Sequence, residues 1–306
     1  MPNPQQDNRS ISLVTLLCLA AVYVVWGSTY LAIRFTLDSV PPFLLAGGRF
    51  LAAGGLLFVF LLLRKTALPT LLQWRDGAIV GILLLVIGNG GVVLAEVRVP
   101  SGVAAMLIGA TPLAATLWAG AFGQWPRRYQ WFGIFLGLAG VVVLVAGTQL
   151  QSDPVATMYL IAAVAAWSLG SVLAQTRLQL APGPMGFATE MIAGGVVLMT
   201  ISGLTHESFS GPLSHSAAIA WVYLVLAGSI LGFSAYMYLL ATVSTALATS
   251  YAYVNPLVAL FLGAAMRSEV LTVREMVASA IIIVSVLILT LEPRRRQRTC
   301  ALESAT

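Results

Sequence analysis

Ala110-Thr111-Pro112-Leu113 and Val254-Asn255-Pro256-Leu257 stand 144 residues apart, each with its proline near the middle of an apolar run. At the same spacing, Val99-Pro100-Ser101-Gly102-Val103-Ala104-Ala105 meets Val243-Ser244-Thr245-Ala246-Leu247-Ala248-Thr249. Nearer the N-terminus the spacing is 141, where Trp26 falls on Trp167, Arg49 on Glu190, and Ala52 to Gly54 on Ala193 to Gly195. The chain reads as one unit written twice, the later copy having gained three residues after its second apolar run.

The medium that this unit occupies follows from composition. Of 306 residues 59% are hydrophobic and 9% charged, and mean hydropathy is +0.92. Soluble domains carry roughly 25% charged residues, so this chain has too few to wet the surface of a globule. Lipid removes that difficulty, because positions facing hydrocarbon need no charge. Crossing the bilayer takes about 20 residues of helix. Runs of that order are read at 13–33, 43–63, 77–97, 101–122, 131–148, 155–175, 186–204, 218–240, 246–266 and 275–291. The expected fold is an all-α membrane protein of ten transmembrane helices. Its parts are an N-terminal segment 1–12, repeats 13–148 and 155–291, and a basic tail 292–306.

Five helices per unit is an odd number, so the two units enter the membrane from opposite sides. Inverted repeats of this kind place a substrate site near the midplane between the halves, and a central cavity is expected there. With the N-terminus inside, eleven Lys and Arg residues fall on the cytoplasmic side and four outside. That positive-inside bias predicts that both termini are cytoplasmic. The net charge of +5 is thus a matter of topology, with no call for nucleic acid. The run Arg294 to Arg298 reads as a stop-anchor on the lipid surface. A proline in mid-helix frees the carbonyl four residues back. Pro112 and Pro256 are therefore expected to kink their spans and expose Ile108 and Ala252 to the cavity.

These residues carry a family resemblance. Trp26-Gly27-Ser28-Thr29-Tyr30-Leu31-Ala32-Ile33-Arg34, Pro41-Pro42 ahead of Gly47-Gly48-Arg49-Phe50, and the stretch Ala246 to Leu257 resemble the EamA type of the drug/metabolite transporter superfamily. The likeness runs from about residue 15 to 291. It implies two EamA repeats, a bacterial inner-membrane location, and export of amino acids, related metabolites or drugs. Many members carry a Gly-Glu pair where the fourth or ninth helix ends. Here the second half has Glu269 and the first half Trp125.

Ionisable groups inside spans are expensive, and each is a functional candidate. Arg49 lies about 10 Å in from the outer end of the second span, at 1.5 Å per residue, and Glu96 near the outer end of the third. They are expected to pair or sit close at an outer gate. Glu190 lies toward the cytoplasmic end of the seventh span, with Arg177 or Arg127-Arg128 as expected neighbours. Proton coupling through Glu96 or Glu190 is a candidate property, against snorkelling to the interface. For the cavity, residues four apart share a helix face: Tyr251 with Asn255, Trp167 with Ser171, Trp26 with Tyr30. Thr111 is the repeat partner of Asn255, and Asn89, Tyr236, Pro112 and Pro256 complete the candidate lining. Aromatic walls with a few fixed polar groups suit an amphiphilic solute.

Other functions lack their residues. His206 and His215 fall in a polar loop without a second helical ligand, Cys18 and Cys300 are too distant for a redox pair, and no phosphate-binding glycine loop is present. No acid–base, Ser/His or metal constellation occupies the spans, so an enzyme is not expected, nor any cofactor. A scaffold or receptor is the other reading, although it needs neither inverted repeat nor paired prolines.

Overall fold

The computed structural model describes residues 12–99, 101–145, 153–209, 211–267 and 273–290. Within them the chain is helical: α1 (Leu13–Leu37), α2 (Pro42–Leu63), α3 (Leu71–Glu96), α4 (Ser101–Ile108), α5 (Thr111–Ala121) and α6 (Arg128–Val145) in the first half. In the second half come α7 (Pro154–Thr176), α8 (Pro184–Leu204), α9 (His215–Thr242), α10 (Thr245–Ala248), α11 (Tyr251–Arg267) and α12 (Val273–Thr290). Six of these, α1, α2, α3, α7, α8 and α9, are long and apolar enough to cross a membrane. Glu269, the run Arg294 to Arg298 and Cys300 lie outside the described residues.

Capping residues set several boundaries that hydropathy does not register. Thr70 accepts from Gln73 N while the Gln73 side chain accepts from Thr70 N, so α3 starts at Leu71 and takes in Arg75 and Asp76, expected in a loop. The Ser214 hydroxyl caps α9 in the same way and brings His215 into its first turn. Asp153 caps α7 by accepting from Val155 N and Ala156 N, and it pairs with Arg98 at 3.2 Å. These bonds, the one from Ala156 first, hold its carboxyl below the usual aspartate range. The folded-state value being the lower one, the cap contributes fully above the ordinary range and is lost as pH falls through the folded value. Asp153→Ala is expected to lower the melting temperature of detergent-solubilised protein at pH 7, with the difference from wild type closing under acid.

Pro112 acts otherwise than expected, whereas Pro256 lies inside its helix. Pro112 does not bend a continuous helix. The apolar run 101–122 breaks at Gly109-Ala110, and Pro112 sits in the first turn of a new helix, where its missing N–H costs nothing. The Ile108 carbonyl is not left open to a cavity, because Thr111 Oγ1 donates to it at 2.6 Å. In the ninth span the break comes earlier, at Thr249-Ser250, and Pro256 lies in the second turn of α11. There Ser250 Oγ donates to Leu247 O at 2.7 Å, and Thr249 Oγ1 donates to Thr245 O at 2.7 Å. Hydroxyls thus satisfy backbone groups that hydrocarbon cannot.

Each packing relation in one half has its counterpart in the other. The helix α2 packs on α8 and α6 on α12, joining equivalent elements. The first helix of each half packs on the other half's third and fourth spans: α1 on α9 and α11, α7 on α3 and on α4 with α5. By contrast, α1 touches α2 only slightly. At the α2–α8 crossing, a Cβ on Gly54 would lie 3.0 Å from Ile192 N and one on Gly195 2.8 Å from Leu51 N. Both pairs are related by the 141-residue spacing. The glycines of Gly133-x-x-x-Gly137 meet Leu289 and Ser285 of α12, so that motif packs within the chain. Both third spans also contain eight π-helical residues at an offset of 142, Ile82–Asn89 and Leu224–Leu231.

Contacts near the helix ends tie the two halves together. Glu207 Oε1 and Oε2, in the linker before α9, accept from Phe43 N and Leu44 N in the first turn of α2 at 3.1 and 2.8 Å. Asp76 Oδ2, in the second turn of α3, accepts from Gln179 N in the linker before α8 at 2.8 Å. In the assignment read from the sequence, the first contact lies on one face and the second on the other.

Candidate substrate cavity

Where the halves interlock, the first helices present aromatic rings to a shared space. Trp26 is the hub. Its ring centroid lies 5.4 Å from Trp167, 5.0 Å from Phe233 and from Tyr236, and 4.7 Å from Tyr251. Edge-to-face and tilted contacts of this kind hold rings more firmly than burial alone. The indole N–H donates to Gly228 O at 3.0 Å, inside the second π-helical segment. A π-turn leaves a carbonyl out of register with the ordinary ladder, and here an indole from the other half takes it up.

Trp167 is held by a closed hydrogen-bond circuit. Its Nε1–H donates to Tyr236 OH at 3.1 Å, and Ser171 Oγ donates to the Trp167 carbonyl at 2.8 Å. The serine proton being used there, Tyr236 donates to Ser171 Oγ at 2.7 Å. Ser171 and Tyr236 therefore stand behind the wall and orient Trp167. Gly88, in the first π segment, lies against the Trp167 ring, where a Cβ would come 2.8 Å from Cε3.

The cavity has a volume of about 50 Å³. From α1 it receives Trp26, Thr29, Tyr30 and Ile33, from α2 Arg49, and from α3 Gly88, Asn89 and Val92. Ile108 and Thr111 reach it from the fourth span, Ala163 and Trp167 from α7, Phe233 from α9, and Tyr251 and Asn255 from α11. Of the candidate lining, Pro112, Ser171, Tyr236 and Pro256 are not on this wall. Thr29, Ile33 and Phe233 were not anticipated. Phe233 is one more apolar residue in an apolar run, and its repeat partner at the 142 offset is Gly91, so neither pattern nor symmetry marks it.

The expected ion pairs do not form. Arg49 Nε donates to Ser229 Oγ at 2.7 Å, across the contact of α2 with α9; α2 also touches the end of α3, but this side chain does not pair there. Glu96 is fully buried and neither carboxylate oxygen has a hydrogen-bond partner. The cation that acts on it is Arg34, whose Nη1 donates to the Glu96 backbone carbonyl at 2.9 Å. Glu190 likewise has both oxygens buried and unpartnered. Its expected neighbour Arg177 lies instead over the Phe122 ring, 5.7 Å from the centroid.

A second cavity of about 200 Å³ opens where the linker after α5 meets the linker after α9. Gln124, Arg127, Gln130 and Thr245 line it, with the Trp125 ring lying against Gly120 beside it. Among the described residues no group of His, Cys, Asp and Glu is arranged to hold a metal ion.

The profile of the EamA-like transporter family matches residues 13–146 and again residues 155–291. The chain belongs to the EamA family. Among EamA relatives it is 44% identical over 274 residues, 89% of each chain, to the uncharacterized inner membrane transporter YedA of Escherichia coli (strain K12). It is 25% identical over 292 residues to a probable amino-acid metabolite efflux pump of Salmonella typhimurium, covering 91% of this chain and 95% of the pump. A solved crystal structure superposes with a TM-score of 0.74 at 21% identity, covering 90% of this chain and 96% of the other, which speaks for the fold alone. The EamA family and these relatives are transporters, and the chain is a membrane protein of that family.

Proposed function

We propose that this EamA protein is a secondary transporter that exports small metabolites across the bacterial inner membrane by alternating access, through ten spans arranged as two inverted five-helix repeats with both termini cytoplasmic. The observation that carries the reading is the aromatic cavity walled by first, third and fourth spans of both halves. Its volume of about 50 Å³ admits water and no metabolite, whereas sites for small molecules are commonly about 300–1,000 Å³. A solute enters only when the walls part, as a site opened to one face at a time requires. Reciprocal packing of the halves supports this, since each can adopt the other's arrangement. The second cavity, beside Arg127, supplies a mouth on the face assigned to the cytoplasm. Efflux of amino-acid metabolites, named for the Salmonella relative, is the substrate class adopted here. Glu96 and Glu190, buried and with no hydrogen-bond partner on either carboxylate oxygen, are the sites where proton coupling would be built.

The test is flux. Proteoliposomes loaded with labelled amino acids and related metabolites are expected to release at least one of them faster than empty vesicles. Asn255→Ala and Tyr251→Ala are expected to slow that release by at least about tenfold, about 1.4 kcal/mol of recognition, with unchanged elution in detergent. If no solute moves while a partner protein binds tightly, the scaffold reading replaces this one.

A further inference from the structure

Arg49 is 1% exposed and lies on the cavity wall. Its Nε is committed to Ser229, and its guanidinium carbon stands 4.9 Å from the Phe50 ring centroid. Its Nη1 is buried with no hydrogen-bond partner. No described carboxylate is within ion-pair distance of it, and the carboxylate oxygens of Glu96 and Glu190 are themselves buried without hydrogen-bond partners. Two further wall atoms share this state, since Asn89 Oδ1 and Asn255 Oδ1 are buried and without donors.

A buried charge is retained in a membrane protein when something pairs with it. A buried acceptor without a donor also costs free energy. Here the unmet groups are one cationic donor and two amide carbonyls, all facing one cavity between aromatic rings. Resting on the transport reading above, we propose that Arg49 is the docking point for a carboxylate of the solute. A hydroxyl or N–H group of the same solute serves Asn89 and Asn255, and its apolar body lies against Trp26 and Trp167. The guanidinium fork matches a carboxylate and discriminates against an uncharged amide of the same shape.

Matched acids and amides give the test. Purified full-length protein is challenged in detergent with 3-phenyllactate, indole-3-acetate and their amides, with thermal stabilisation as the readout. The acids are expected to stabilise at concentrations at least about tenfold lower than the amides, the factor that 1.4 kcal/mol represents. Arg49→Gln is expected to erase the preference. Arg49→Lys retains the charge without the fork and is expected to keep the preference at weaker affinity, so it carries the test where Arg49→Gln does not fold. An equal response to acid and amide, a response to neither, or a preference that survives Arg49→Gln overturns the proposal. Flux of a carboxylate-bearing solute that is equal in wild type and Arg49→Gln would end this proposal and leave the transport reading standing.

Discussion

Trp26→Ala is expected to give a protein that is both markedly less stable and inactive in flux. Removing the indole leaves the rings of Trp167, Phe233, Tyr236 and Tyr251 without their common neighbour. It also strips the Gly228 carbonyl of its indole donor. Truncating a buried tryptophan costs about 3–5 kcal/mol. In a bilayer little of that is hydrophobic transfer, because lipid is as apolar as the core. The loss falls on packing and on the hydrogen bond. Trp26→Phe keeps one aromatic ring while removing the donor and part of the indole's volume, and is expected to cost at least the ~1–3 kcal/mol of the carbonyl left unpaired, yet less than Trp26→Ala. Thermal unfolding in detergent ranks the variants. A Trp26→Ala protein as stable as wild type would show that the aromatic cluster does not hold the halves together.

Gly195→Leu is expected to remove the folded protein. Even the first carbon of the new side chain would lie 2.8 Å from the Leu51 backbone nitrogen, and backbone cannot turn aside as a flexible side chain can. Overpacking in a close-packed interior costs about 1–3 kcal/mol. This crossing lies between equivalent helices, so a shift there displaces both halves. Gly55→Leu is the control, because a Cβ at Gly55 meets nothing within 4 Å. The measurement is the monodisperse peak in size-exclusion chromatography, which should vanish for Gly195→Leu and persist for Gly55→Leu. Survival of both peaks would mean that α2 and α8 do not cross as described.

How much of this was legible beforehand depended on the kind of signal. Long spans such as α1 and α8 announce themselves through apolar length, which lipid demands directly. The duplicated Trp26 and Trp167 and the four-residue spacing of Tyr251 and Asn255 placed those side chains on shared faces. Helix starts were harder to read, because Thr70 and Gln73 cap α3 through hydrogen bonds that hydropathy does not register. Pro112 was read as a kink since sequence reports its missing N–H without saying whether a helix runs on or begins there. The pairing of Arg49 with Glu96 failed for a different reason. Depth along two helices brings residues to one level but does not say which way each side chain turns, and Arg49 faces Ser229 of the other half. Glu190 shows the same limit, since its level suggested Arg177 while its carboxylate oxygens have no partner.

Because α1 packs chiefly on α9 and α11, and α7 on the third and fourth spans of the first half, order of synthesis matters. The ribosome delivers α1 more than 170 residues before its principal partners exist. Until then α1 must wait in lipid, where Trp26 has no Gly228 to bond. Neither half can mature while the other is missing. The gene duplication evident in the sequence has produced two parts that finish folding only together, after the last spans have left the translocon.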